Sequence, residues 1–99
     1  MAMYKLTPAA DSDLQEIWEY TENQWGVDQA DNYLYTLERR MTYLTCNPKG
    51  GKRRTELPGS PFNYHEGKHV IFYRRIETGI EIIRILHDSM DFPRHLGRR

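Results

Sequence analysis

The chain has 99 residues, 28% of them charged, and a formal net charge of zero. Its mean hydropathy is −0.81, and no stretch approaches the roughly 20 apolar residues that cross a bilayer; one small domain over residues 1–99 is expected, without a membrane partner. No apolar run follows Met1-Ala2-Met3-Tyr4-Lys5, so a signal peptide is not expected, and the lone Cys46 excludes an internal disulfide and points to a reducing, cytoplasmic location.

The zero net charge conceals an asymmetry. Residues 1–46 carry three basic against eight acidic side chains; residues 47–99 carry eleven basic against six acidic. Such a split is read either as two solvated faces of opposite sign or as a basic half that meets an anionic partner.

In chain order, Tyr4-Lys5-Leu6 reads as a short strand. Thr7-Pro8 reads as a helix start, a hydroxyl at the N-cap and proline at the first helical position. Ala10, Leu14, Ile17, Trp18, Thr21 and Trp25 then recur at helical spacing as one apolar stripe, and Gly26 stops the helix. A second helix follows at once, with Asp28 as its expected N-cap and Ala30, Tyr33, Leu34, Leu37, Met41 and Leu44 as its stripe. Asn47-Pro48 ends it, because a residue before proline avoids the helical region. So short a connection folds the two helices into an antiparallel hairpin.

Lys49-Gly50-Gly51-Lys52-Arg53-Arg54 is a glycine-hinged basic loop, Thr55-Glu56-Leu57 an expected strand before Pro58-Gly59, and Phe62-Asn63-Tyr64 another. His69–Arg74 and Ile82–His87 are apolar runs across the turn Glu77-Thr78-Gly79, a β-hairpin with apolar residues on both faces, so both faces are expected to be covered at least in part. Residues 92–99 read as a partly ordered tail. The order β-α-α-β-β-β gives an α+β fold, a helical hairpin packed on one face of a mainly antiparallel sheet.

Few constellations carry chemistry. His65 and His69 do not share a helix face, His87 and Asp88 are expected to point to opposite sides of a strand, and Cys46 has no partner at zinc spacing, so no metal or other cofactor is expected. No glycine-flanked serine elbow is present. Metal-free RNA cleavage needs a base, an acid and cations for the phosphate. His87 with Arg53, Arg54 and Arg84 are the candidates, but Arg84 and His87 stand three apart on one strand and face opposite sides. The plainer reading pairs Arg84 with Glu56 or Glu81 across the sheet. Trp18, Tyr20, Trp25, Tyr33, Tyr35 and Tyr43 crowd the helical hairpin, which makes it a candidate docking groove.

The chain resembles the ParE toxins of the RelE/ParE superfamily. The resemblance rests on Leu6-Thr7-Pro8-Ala9-Ala10, Asp13-Leu14, Ile17, Trp25-Gly26, Gln29-Ala30, Tyr33, Asn47-Pro48, His69–Arg74, Arg84–His87 and Met90-Asp91, in this order from Tyr4 to Asp91. It departs at Ser60-Pro61-Phe62-Asn63-Tyr64, where relatives have a glycine-aromatic-basic strand. The resemblance implies a RelE-like fold and the toxin of a type II toxin–antitoxin pair. Such a toxin poisons DNA gyrase by binding it and is neutralised by a ParD antitoxin, whose ribbon-helix-helix half alone contacts operator DNA. The superfamily's other branch, ribosome-dependent mRNA endonucleases, is the alternative. Those enzymes often carry an arginine after the hairpin histidine and a terminal catalytic tyrosine, where this chain has Val70 and Asp88. As a binding protein, the chain is expected to use Trp18, Tyr33, Leu37, Met41, Arg75 and Arg84 toward the antitoxin, and His87, Met90, Asp91, Arg94 and Leu96 toward the target.

Overall fold

The structure, a computed structural model, describes residues 3–97. The last two residues of the expected tail, Arg98 and Arg99, lie outside the described residues. The chain runs β1 (Met3–Leu6), α1 (Pro8–Trp25), α2 (Val27–Cys46), a 3₁₀ turn (Pro48–Gly50), β2 (Lys52–Arg53), β3 (Phe62–Glu66), β4 (His69–Ile76), β5 (Gly79–His87) and α3 (Phe92–Leu96). The strands form one sheet in the order β1-β5-β4-β3-β2. Among the described residues only the β1–β5 pair is parallel, and the α+β fold is the one anticipated.

Thr7 joins the two layers. Its hydroxyl accepts from Ala10 N at 3.0 Å, capping α1, and donates to Ile83 O at 2.8 Å. Its own N–H donates to Ile82 O, so the ladder of β1 runs into the cap of α1. Gly26, at φ +94°, closes α1 through a bond from its N–H to Glu22 O and opens α2 by accepting from Ala30 N. The N-cap of α2 is therefore Gly26, not Asp28, which lies within the first turn, where its charge still favours the helix.

The core has two layers, one on each face of the sheet. On the helical side, Ala10, Leu14 and Ile17 from α1 and Leu37, Met41 and Leu44 from α2 pack on Ile71, Tyr73, Ile80, Ile82 and Ile85. On the other side Leu57, Val70, Phe72 and Leu86 are covered by Phe92 and Leu96 of α3. The Phe72 and Phe92 rings meet edge to face at 5.0 Å. Phe92–Leu96, read from the sequence as part of a tail, thus forms a short helix lidding the second core layer. The expected strand at Thr55–Leu57 is not formed. That stretch is a run of turns, with Arg54 N bonded to Pro61 O and Ser60 N to Leu57 O, and the strand sits earlier, at Lys52–Arg53. Leu57 is buried as a plug. A register shift between Phe72 and Tyr73 leaves Ile83 without a cross-strand partner, and Ile83 packs against the second layer.

Candidate functional site

β5 outruns its neighbour. The parallel pairing with β1 ends at Leu6 opposite Ile82, leaving the far half of this edge unpaired. Asp13, from the second turn of α1, takes the place of a strand there. Its Oδ2 accepts from Ile85 N at 2.9 Å, and both of its oxygens accept from the Arg84 guanidinium, each at 2.8 Å. These bonds hold the Arg84 guanidinium above its ordinary pKa. Arg84 is thus committed to Asp13. The partners expected for it bind other arginines: Glu81 pairs with Arg74 and Glu56 with Arg54.

Beyond this edge lies a cleft of about 700 Å³ between α1, the start of α2 and the ends of β4 and β5. Ile17 and Ile85 line its depth, and Tyr20, Trp25 and Met90 stand on its rim with 61%, 66% and 44% of their surfaces exposed. Trp25, read from the sequence as part of the apolar stripe, is therefore a surface side chain. It ends α1, one turn beyond Thr21, the last buried residue of the helix. The inner wall is polar: the Tyr33 hydroxyl is 2.7 Å from His69 Nδ1 and 3.3 Å from the Glu66 carbonyl, and the His69 and His87 rings meet edge-on at 5.3 Å. Burial, then the neighbouring His87, depress His69 to a pKa of about 4, so its ring is neutral at pH 7. Burial pushes the Tyr33 phenol up. His87 Nδ1 accepts from Ser89 N at 3.1 Å and lies 2.8 Å from the Ser89 hydroxyl.

Asp88 does not point away from His87 as strand alternation suggests. β5 ends at His87, and Asp88 falls in the following turn, its carboxylate 3.4 Å from His87 Nδ1 and 3.3 Å from His65 Nε2. Among the described residues no three His, Cys, Asp or Glu side chains converge as metal ligands.

The residues singled out for the antitoxin do not form one surface. Tyr33 is in the cleft. Leu37 and Met41 are 0% exposed and belong to the core, since their stripe faces the sheet, so no partner reaches them in this fold. Trp18 donates from Nε1 to Asp31 Oδ1 at 2.9 Å, tying α1 to α2. Arg75 lies near the opposite end of β4, beside Tyr43 and Lys49. Of the residues expected at the target, His87 and Met90 line the cleft. Asp91 caps α3 by accepting from Arg94 N, Arg94 is exposed, and Leu96 packs on the second core layer. The set His87, Arg53, Arg54 and Arg84 does not converge either. Arg53 opposes Phe62, Tyr73 and then Ile82 across the sheet. That is three strands and five residues from His87, roughly 20 Å at ordinary strand spacings. Asp13, His69 and Ser89 were not foreseen, although Asp13-Leu14 and His69 lie in the stretches that carry the family resemblance.

Comparison with known proteins agrees with this architecture. A family model described as the ParE toxin of the type II toxin–antitoxin system parDE matches residues 4–92. The chain is 39% identical over 94 residues to a "Toxin ParE1" of Mycobacterium tuberculosis, covering 94% of this chain and 96% of that one. It is 38% identical over 97 residues to "Toxin ParE1" of Caulobacter vibrioides, covering 98% and 100%. In fold it matches a chain of a solved structure titled "Chromosomal ParDE TA system from P. aeruginosa", with a TM-score of 0.73 over 88% of this chain and 96% of that one at 22% identity. The chain belongs to the ParE toxin family of type II toxin–antitoxin systems.

Proposed function

We propose that this toxin acts in the cytoplasm by binding DNA gyrase rather than by cleaving a substrate, and that a ParD-type antitoxin silences it by laying an amphipathic segment into the cleft. The observation that carries this reading is the cleft itself. Two exposed aromatics and an exposed methionine surround an apolar trough beside a polar wall. Large, rigid aromatics and adaptable methionines are the side chains that dominate protein–protein affinity. The distribution of cations argues against phosphodiester chemistry at His87: Arg84 is neutralised by Asp13, Arg54 is paired with Glu56, and of the lysines and arginines only Lys68 lines the cleft, together with Glu16. One lysine offset by a carboxylate offers a phosphate little net attraction.

The same arrangement supplies a route to neutralisation. His87 and Met90, expected at the target interface, line the cleft that the antitoxin would fill. An occupied cleft therefore hides part of the toxic surface, and the antitoxin need not distort the toxin to silence it. The antitoxin, not this chain, would contact operator DNA. Purified gyrase incubated with this protein is expected to lose supercoiling activity and to accumulate linear DNA, and added antitoxin is expected to restore supercoiling. Full supercoiling at excess toxin, with no linear product, would overturn the gyrase reading. Shortened messenger RNA in induced cells, abolished by His87→Ala, would transfer the activity to the endonuclease branch.

A further inference from the structure

Basic side chains gather near the opposite end of β4, away from the cleft, whose lining holds Lys68 alone among lysines and arginines. A depression of about 340 Å³ is lined by Tyr43, Asn47, Pro48, Lys49, Gly50 and Arg75. No acidic side chain is among them, and among the described residues no carboxylate lies within ion-pair distance of Lys49, Lys52, Arg53 or Arg75. By contrast Arg40, Arg54, Arg74 and Arg84 are each paired. Lys49 and Arg53 rest on a firm base. The buried Tyr73 hydroxyl donates to Pro48 O at 2.8 Å and accepts from Gly51 N at 2.9 Å, which fixes the backbone on both sides of Lys49-Gly50. Arg53 is held by a bond from Nε to Ser60 O and by its place over the Phe62 ring. Tyr43 stands against Gly50, where a Cβ would come within 3.1 Å of the tyrosine ring, yet the tyrosine keeps 43% of its surface open.

We propose that this corner is a binding site for single-stranded nucleic acid: a base stacks on Tyr43, and the adjoining phosphates lie along Lys49, Arg75 and Arg53. An exposed ring between unpaired cations is the arrangement that recognises a strand, because every base presents a π-face and every linkage a charge. An acidic peptide would use the cations and leave the ring without a role. Arg75 is six residues from the His69 end of β4, roughly 20 Å along the strand, so the site is separate from the cleft and does not depend on the gyrase reading.

The test is fluorescence anisotropy of a labelled dodecathymidylate with the full chain at 50 and 200 mM salt, with a duplex of equal length and poly-glutamate as competitors. The single strand is expected to bind, and its affinity to fall roughly 20-fold between the two salts, as three neutralised phosphates require. Arg75→Ala and Lys49→Ala each weaken binding and flatten the logarithmic salt slope by about 0.7. Tyr43→Leu weakens it about tenfold without changing the slope, and Tyr43→Phe binds as the parent does. Three outcomes overturn the proposal: no binding at 50 mM salt, displacement of the strand by poly-glutamate or duplex more readily than by unlabelled single strand, or a Tyr43→Leu variant with unchanged affinity and unfolding midpoint.

Discussion

Asp13 carries three hydrogen bonds on one carboxylate while being almost entirely buried. Removing it orphans the Ile85 N–H and leaves the Arg84 guanidinium without its counter-ion. Asp13→Ala is therefore expected to cost about 3 kcal/mol, the low end for breaking a buried pair because the Arg84 side chain keeps some exposure. Arg84→Ala leaves Asp13 bonded to Ile85 N and should cost less, about 1–2 kcal/mol. Urea unfolding checks both: the midpoint should fall in that order with an unchanged slope, and equal losses would show that the Ile85 bond contributes nothing. This arrangement was hidden in the sequence because Asp13 and Arg84 are 71 positions apart and nothing local distinguishes Asp13 from the exposed Asp11. His69 supplies a second prediction. Its folded pKa of about 4 lies below the unfolded value of 6.5, so between those values the unfolded chain binds the proton that the folded chain refuses. Stability should fall as pH drops from 6.5 toward 4. In His69→Gln that part of the slope should vanish, while the part due to carboxylates persists. Parallel stability–pH curves for the two proteins would show that His69 does not carry it.

The elements that define their own ends were the legible ones. Thr7-Pro8 capped α1 as its chemistry dictates, Asn47-Pro48 ended α2, and Glu77-Thr78 turned the hairpin. Thr55–Leu57 misled because an apolar residue behind two polar ones resembles a half-buried strand, whereas the turns on both sides of Leu57 leave it no neighbour to pair with. Helix α3 was illegible for a related reason: five residues cannot form a helix alone, and Phe92–Leu96 is held by the second core layer, which exists only once the sheet has formed. At this scale the parallel pair β1–β5 is a joint at which two backbones approach closely. A Cβ at Gly79, at φ +150°, would stand 1.9 Å from the Met3 carbonyl oxygen, a backbone atom that cannot yield without parting the strands. Gly79→Ala should lower stability by more than about 2 kcal/mol. Gly59, at φ +78° in open space, meets no neighbour, so Gly59→Ala should cost only the strain of the left-handed backbone, about 1–2 kcal/mol. Thermal unfolding ranks the two, and a Gly59 variant that unfolds first would contradict the close approach at β1.

Across the whole molecule the charge asymmetry becomes spatial. The acidic half of the chain contains the helical layer, and most of the cations of the basic half lie on the sheet and on the loop that feeds it. The counts could be read from the sequence, but not which cations are spent internally: Arg40, Arg54, Arg74 and Arg84 are, and Lys49, Lys52, Arg53 and Arg75 carry no ion pair among the described residues. The two open surfaces should consequently answer differently to salt. At the cleft, Trp25 and Tyr20 offer area rather than charge, so antitoxin binding there should depend weakly on ionic strength. Trp25→Ala and Tyr20→Ala should each weaken it by about 2 kcal/mol, close to 30-fold in Kd. Both side chains are already exposed, so stability should change by no more than about 0.5 kcal/mol. Titration calorimetry with the antitoxin and a parallel unfolding curve separate these effects. If the cleft is the antitoxin site, the two variants also escape neutralisation in the supercoiling assay at antitoxin concentrations that silence the parent, and Arg75→Ala, at the far end of β4, does not. Equal neutralisation of all three would place the antitoxin elsewhere on the surface.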